Sequence, residues 1–276
     1  MSIGRLIPPA LAVLLLHWSF PARAQETCAD GPRAAAAQNA ASLTQRVWSP
    51  FGRPEAGWEI YEPLVAHEIA TGCPAWSPGF AASLGRWQAA RRLAATGAMD
   101  QPTFTALKQA WESRRPFVAE SRRACPNPPD PSILANATPE EGYSRKPIQL
   151  LPQALAAYRR LVAAARAEVP AVAADHRLLS IFSGYRSPAY DAARCATEGN
   201  CQNITRATCS AHRTGLAMDL YLGAAPGFAP DSSDDVARLF LTRTAAYRWL
   251  VGNAARFGFA NYPFEPWHWE WTGGGG

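Results

Sequence analysis

Ser210-Ala-His-Arg-Thr-Gly-Leu-Ala-Met-Asp219 puts a histidine, a glycine turn and an acid inside an apolar run. The acid decides how this stretch is read. Leu216-Ala-Met-Asp-Leu-Tyr-Leu222 has the composition of a buried strand. A carboxylate there is costly unless it is paired or bound to a metal. An odd separation along a regular strand puts side chains on opposite faces. If His212 and Asp219 share a centre, His212 must therefore precede the strand, with Thr214-Gly215 turning the chain. An Asp219 satisfied by a salt bridge or by backbone donors is the competing explanation of the acid taken alone.

Two other pieces carry complementary groups. Glu265-Pro-Trp-His268 offers an acid and an imidazole three residues apart, with Pro266 fixing the backbone between them. Ser183-Gly-Tyr-Arg-Ser187 adds a guanidinium after an apolar run. Two histidines and one aspartate would leave the fourth position of a tetrahedral zinc open to water. Zinc lowers the pKa of that water to about 7. Glu265 could then take its proton and pass it to a leaving amine. Of the five histidines, His67 and His176 have no such setting and read as structural. The absence of any Cys-x-x-Cys pair argues against a cysteine zinc cluster.

With all three motifs in order, roughly residues 145–272 resemble the zinc D-alanyl-D-alanine carboxypeptidases of the VanY type. The resemblance implies one Zn2+ held by His212, Asp219 and His268, with Glu265 as catalytic base. It implies Arg186 as the cation that steadies the developing oxyanion and Ser210 as a substrate contact. Tyr185 is expected to help shape the pocket. An arginine with no role beyond the surface is the other reading of Arg186. The implied substrates are peptidoglycan stem peptides. One departure concerns the long stretch between Arg186 and His212, which adds Arg194, Arg206 and Arg213. A carboxypeptidase needs a cation for its substrate's terminal carboxylate, which one of these could supply. An endopeptidase does not, so an internal bond stays open. So does a wall-binding protein that keeps zinc for stability.

Composition sets the outer limits. At 48% hydrophobic and 18% charged, the 276 residues suit one large domain or two modest ones. Arg5 and Arg23 are the only charges among the first 24 residues, so a net +5 becomes +3 without them. No basic run suggests a nucleic-acid partner. Residues 1–24 read as a signal peptide, with an apolar Leu6–Leu16 segment and Ala22-Arg-Ala24 before the cut. Once the signal is cleaved, no membrane insertion is expected, an uncleaved anchor being the other reading of the segment. The destination is the periplasm or the exterior, at the cell wall. Six cysteines behind such a segment suggest disulfides. With Cys28, Cys73 and Cys125 in one half and Cys195, Cys201 and Cys209 in the other, a bridge between halves or a free thiol is expected.

Along the chain, residues 25–130 form a mainly helical region of open role. Residues 25–46 are Ala-rich with poor periodicity, and 48–63 are aromatic and turn-rich. Helices are expected at about Pro63–Thr71 and across 78–111. The latter run is a hairpin around Thr96-Gly-Ala-Met-Asp-Gln-Pro-Thr that resembles peptidoglycan-binding modules, a plain packing hairpin being the other reading. Cys125-Pro-Asn-Pro-Pro-Asp-Pro131 cannot be helix or central strand, and it opens a Pro-rich linker at 131–147. The peptidase domain spans 148–272. It has a helix from Pro152, a strand at Leu178–Phe182, a helix at Pro188–Cys195 and a strand at Leu216–Leu222. An N-cap cluster at Asp231–Asp235, a helix over Thr244–Phe257 and a strand at Trp267–Trp271 follow. Residues 273–276 are a flexible tail. The fold class is α+β: a small antiparallel sheet with helices around a zinc site, preceded by the helical region.

Overall fold

A cap followed by proline starts both helices of the 78–111 hairpin. In the computed structural model, which describes residues 27–122, 124–198 and 209–274, Ser77 accepts a hydrogen bond from the Phe80 N–H ahead of Pro78. Asp100 does the same for Thr103 ahead of Pro102. The N-terminal half contains α1 (Arg33–Gln45), β1 (Val47–Trp48), β2 (Glu55–Ala56), α2 (Glu62–Glu68), α3 (Pro78–Ala90), α4 (Gln101–Glu112) and α5 (Pro116–Glu120). The low periodicity of α1 has a concrete cause, since apart from Leu43 its buried residues are small or polar. Asn39, wholly buried, donates to Gly97 O and accepts from the Met99 N–H, so it stitches α1 to the hairpin turn. Gly97 has φ +70°, and a Cβ there would lie 2.6 Å from Ala81 O, so only glycine fits. Trp48, Trp58, Tyr61, Phe80, Phe104 and Trp111 fill this half's core.

Next come β3 (Ala135–Asn136), β4 (Gln149–Leu150), α6 (Pro152–Glu168), α7 (Pro170–Ala174), β5 (Ile181–Ser183) and α8 (Pro188–Glu198). They are followed by β6 (Ala217–Leu220), α9 (Asp235–Thr242), α10 (Ala245–Asn253), β7 (Phe259–Asn261) and β8 (His268–Trp271). Within 131–147 the chain makes two tight turns, and β3 pairs with β4. The central sheet is antiparallel throughout, in the order β5-β6-β8-β7. Its Met218, Leu220 and Trp269 join α6, α7 and α10 in one core. The α+β expectation holds: helices pack with small antiparallel sheets.

Some element edges differ from the sequence reading. β5 starts at Ile181 rather than Leu178 because Leu179 adopts φ +67° and its carbonyl is taken by the Tyr158 hydroxyl. β7 was not anticipated. It follows at once from Gly258, whose left-handed φ of +79° ends the helical run begun at α10. Expectations for residues 1–26, 199–208 and 275–276 lie outside the described residues. These include the signal peptide, most of the cysteine-bearing insertion and the end of the glycine tail. Among the described residues no helix is long and apolar enough to cross a membrane.

Disulfides join Cys28 to Cys73 and Cys125 to Cys209, and Cys195 is also disulfide-bonded. The second is the bridge between halves that the cysteine distribution allowed. Buried arginines lock the same boundary. Arg238 of α9, with no exposed surface, donates to the Tyr61 hydroxyl at 2.6 Å and to Phe264 O at 2.8 Å. It also pairs with Glu55 at 3.3 Å and Asp235 at 3.1 Å. Removing one partner of a buried charge network costs about 3–5 kcal/mol because the other charges are left uncompensated. Arg238→Ala is expected to lower unfolding stability by that amount in urea titrations. A loss under about 1 kcal/mol would mean that water replaces the guanidinium.

Candidate metal centre

The ladder of β6 on β8 puts Asp219 directly opposite His268, and Ala217 opposite Glu270. Alternation along each strand sends these four to the face away from the helical core. His212 arrives from outside the sheet. Ser210 caps a 3-10 turn, Ala211–Thr214, by accepting the His212 N–H, and Gly215 at φ +71° bends the chain into β6. The turn before the strand is the arrangement the seven-residue spacing required.

Each imidazole is held from behind. His212 Nδ1 lies 2.7 Å from Gly184 O, so that nitrogen carries the hydrogen and Nε2 faces Asp219 Oδ2 at 3.2 Å. Gly184 is needed for this approach, because a Cβ would lie 2.6 Å from Gln149 O. His268 turns Nδ1 to Asp219 Oδ1 at 2.9 Å and Nε2 to Glu270 Oε1 at 3.3 Å. One ligand atom from each of His212, Asp219 and His268 lies within 4.8 Å of the others, and all three residues are buried. Two imidazoles and a carboxylate, with both outer nitrogens already engaged, fit a divalent ion such as zinc.

The electrostatics agree with that fit. Burial, helped by the Arg186 guanidinium, pushes His212 down to about 4, which keeps it a neutral donor. Burial also works against a charge on His268, but hydrogen bonds to Asp219 and Glu270 outweigh it and hold the ring up at about 9. Asp219 is driven far below the carboxylate range: burial opposes this, and the two histidines overcome it. Without an ion, the His268 proton supplies the positive charge between two buried carboxylates.

The remaining candidates surround this cluster. Glu265 Oε2 lies 3.8 Å from His268 Nδ1, and its side chain keeps 31% of its exposure. Desolvation raises its carboxyl above the ordinary value, and Asp219 adds to the rise. The turn that presents it is fixed by Asn261, which donates to the carbonyls of Glu265 and His268. Arg186 donates to Ser210 Oγ at 2.7 Å and to Ser183 Oγ at 3.2 Å, pairs with Asp191 at 3.0 Å and reaches Asp219 at 4.0 Å. Tyr185 is anchored by its backbone N–H on Gln149 O and leaves its side chain half-buried. Arg213 turns to Cys125 Sγ, and Arg206 lies outside the described residues. His67 and His176 are not part of the cluster.

Three residues of the setting escaped the sequence reading. Asp191 sits in the first turn of α8, where it can hold Arg186. Glu270 had a legible signal, since a two-residue step along a strand keeps it on the His268 face. Arg115, which ion-pairs with Glu270, had none, being 155 residues away.

Residues 147–274 match the family VanY, described as D-alanyl-D-alanine carboxypeptidase. The motifs at 183–187, 210–219 and 265–268 all fall inside that span, so the resemblance is borne out. A solved structure of the LdcB LD-carboxypeptidase, described as revealing the basis of peptidoglycan recognition, is 23% identical. It covers 53% of this chain and 71% of its own, with a TM-score of 0.37. A structure of the vancomycin-resistance D,D-pentapeptidase VanY, a mutant in complex with Zn(II), is 22% identical. It covers 53% and 83%, with a TM-score of 0.30. No curated protein matches the chain.

Proton competition gives a test of the cluster. His268 must lose its proton before Nδ1 can ligate, whereas His212 is already neutral at pH 7. Zn2+ affinity is therefore expected to rise as pH approaches 9, with close to one proton released per ion at pH 7 in calorimetry. A pH-independent affinity would put the ion elsewhere.

Proposed function

With residues 147–274 matching the VanY family as the premise, we propose that the protein is an exported zinc peptidase that trims peptidoglycan stem peptides. The bond best supported is the terminal D-alanyl-D-alanine amide. The observation that carries this reading is the ladder pairing of Asp219 with His268, joined by His212 and flanked by a partly open Glu265. His212, Asp219 and His268 would hold one Zn2+. When bound, the ion would supply Lewis acidity at the scissile carbonyl and make water more acidic.

The chain's own residues account for the rest of the chemistry. Glu265 takes a proton from the attacking water as the water oxygen bonds to the amide carbon. Its raised pKa then suits it to return the proton to the amine nitrogen as the C–N bond breaks. Arg186 faces the negative charge that grows on the carbonyl oxygen. It is braced for this by Asp191, Ser183 and Ser210, so little reorganisation is needed during reaction. Ser210 and Tyr185 line the substrate side. The signal-like residues 1–24 support export, and the disulfides are compatible with an oxidising compartment.

One observation favours a second reading, cleavage of an internal bond. Arg213, one of the cations available for a terminal carboxylate, is turned to the Cys125 sulfur instead. Mass spectrometry of muropeptides incubated with the Zn2+-loaded protein separates the two. Loss of one terminal alanine that a chelator abolishes supports the carboxypeptidase. Chelator-sensitive internal cleavage supports the endopeptidase, and no cleavage despite bound zinc supports a wall-binding role. Glu265→Gln is expected to keep Zn2+ and lower turnover by about 10²–10⁴-fold. Unchanged turnover in that variant would remove Glu265 from the mechanism.

A further inference from the structure

The N-terminal half reaches the back of the metal cluster at the start of α5. Arg115 caps α5 and is 7% exposed. Its Nε and Nη2 lie 2.7 and 2.5 Å from Glu270 Oε1. The Phe117 N–H donates to the other oxygen, Oε2, at 3.1 Å. Both Glu270 oxygens are thus fixed from outside the sheet, and Oε1 is the atom that faces His268 Nε2. A second contact runs beside the first. The Arg115 guanidinium lies 4.1 Å from the centre of the Tyr262 ring, and that ring meets His268 edge-on at 6.0 Å. Arg115 thus touches two of the groups that face the His268 ring, the others being Asp219 and His212.

We infer that Arg115 is a positioning residue for His268, acting through Glu270 and Tyr262. The N-terminal half is then a working layer of the metal centre, not a detachable module. The inference rests on the metal reading above but concerns Arg115, a residue outside the 147–274 match. Its physical basis is that an imidazole ligates well only when its outer nitrogen has a fixed partner. A carboxylate is a fixed partner only if its own oxygens are held. Glu270 has one rotatable bond more than an aspartate, and without Arg115 only the Phe117 N–H would hold it from the N-terminal half. A lysine could keep the charge but not the two-nitrogen grip.

The same layer supports Glu265. Phe51 packs on Tyr262 and Phe264, with ring centres 6.0 and 5.4 Å apart. The Phe264 carbonyl, one residue before Glu265, accepts from Arg238, whose other partners include Glu55 and Tyr61. The aromatic stretch 48–61 therefore braces the turn that carries the proposed base.

The test measures Zn2+ affinity by competition with a chromogenic chelator, using the full chain. The visible spectrum of the Co2+-substituted protein and the melting temperature of the metal-free protein are measured alongside. Arg115→Ala is expected to weaken Zn2+ binding about 10–100-fold and to shift the Co2+ bands. Arg115→Lys should recover part of the loss. Combining Arg115→Ala with Glu270→Gln should cost less affinity than the two single losses added together, because the Glu270 path is common to both. Arg115→Ala with wild-type affinity and spectrum, even at a lower melting temperature, would overturn the inference and leave only a clamp between halves. If Arg115→Ala does not fold, Arg115→Lys decides: affinity and spectrum equal to wild type would overturn it equally. Wild-type protein that binds no Zn2+ would fail the metal reading itself, a result distinct from Zn2+ binding that ignores Arg115.

Discussion

Asp219 is a charge in the middle of a buried strand, and much of the surrounding structure is a response to it. A carboxylate taken out of water must be matched within hydrogen-bond distance or it protonates. Here the match comes from two directions. The ladder supplies His268 from the neighbouring strand, and the capped turn before β6 supplies His212. Each imidazole is satisfied on its far side in turn, one by a glycine carbonyl and one by Glu270. A slip of one residue in the β6–β8 register would send Asp219 into the apolar core. The pairing that creates the centre is therefore the pairing that keeps the sheet dry on its other face.

The two halves of the chain exchange buried arginines. Arg115 leaves the first half to neutralise Glu270 in the second, and Arg238 leaves the second to neutralise Glu55 in the first. Burial holds Glu270 up and its two cationic neighbours draw it down to about 2, so it stays ionised. Such exchanges join the halves with direction as well as strength, because a guanidinium fork fits a carboxylate in few orientations. An apolar seam of the same area would tolerate sliding that this one does not.

What could be read from the sequence follows how local each constraint is. The histidine–turn–strand arrangement was legible because an odd spacing and a glycine restrict it within ten residues. The hairpin of α3 and α4 was legible because caps and prolines announce themselves. The partners of Arg186 and His268 were less so. Asp191 is five residues from Arg186 but on another element, and the one signal for Glu270 is its two-residue step from His268 along the last strand. Arg115 and Arg238 could not be found at all. Their partners are distant in the chain, and an arginine in an amphipathic segment looks the same whether it meets water or a buried carboxylate. The Ala-rich α1 was obscure for the opposite reason: its key contact is an asparagine side chain bonding backbone, which leaves no hydrophobic period.

The Cys125–Cys209 bridge spans 84 residues and ends one position before Ser210. It closes a covalent ring that includes β4, the central helix α6, β5 and the Arg186 motif. A single peptide break anywhere inside that ring opens it without releasing a fragment. The severed ends stay attached on both sides, one through the backbone and one through sulfur. A molecule nicked in this stretch would run as one species until a reductant is added. Cleavage of the chain and loss of the chain are thereby made two separate events.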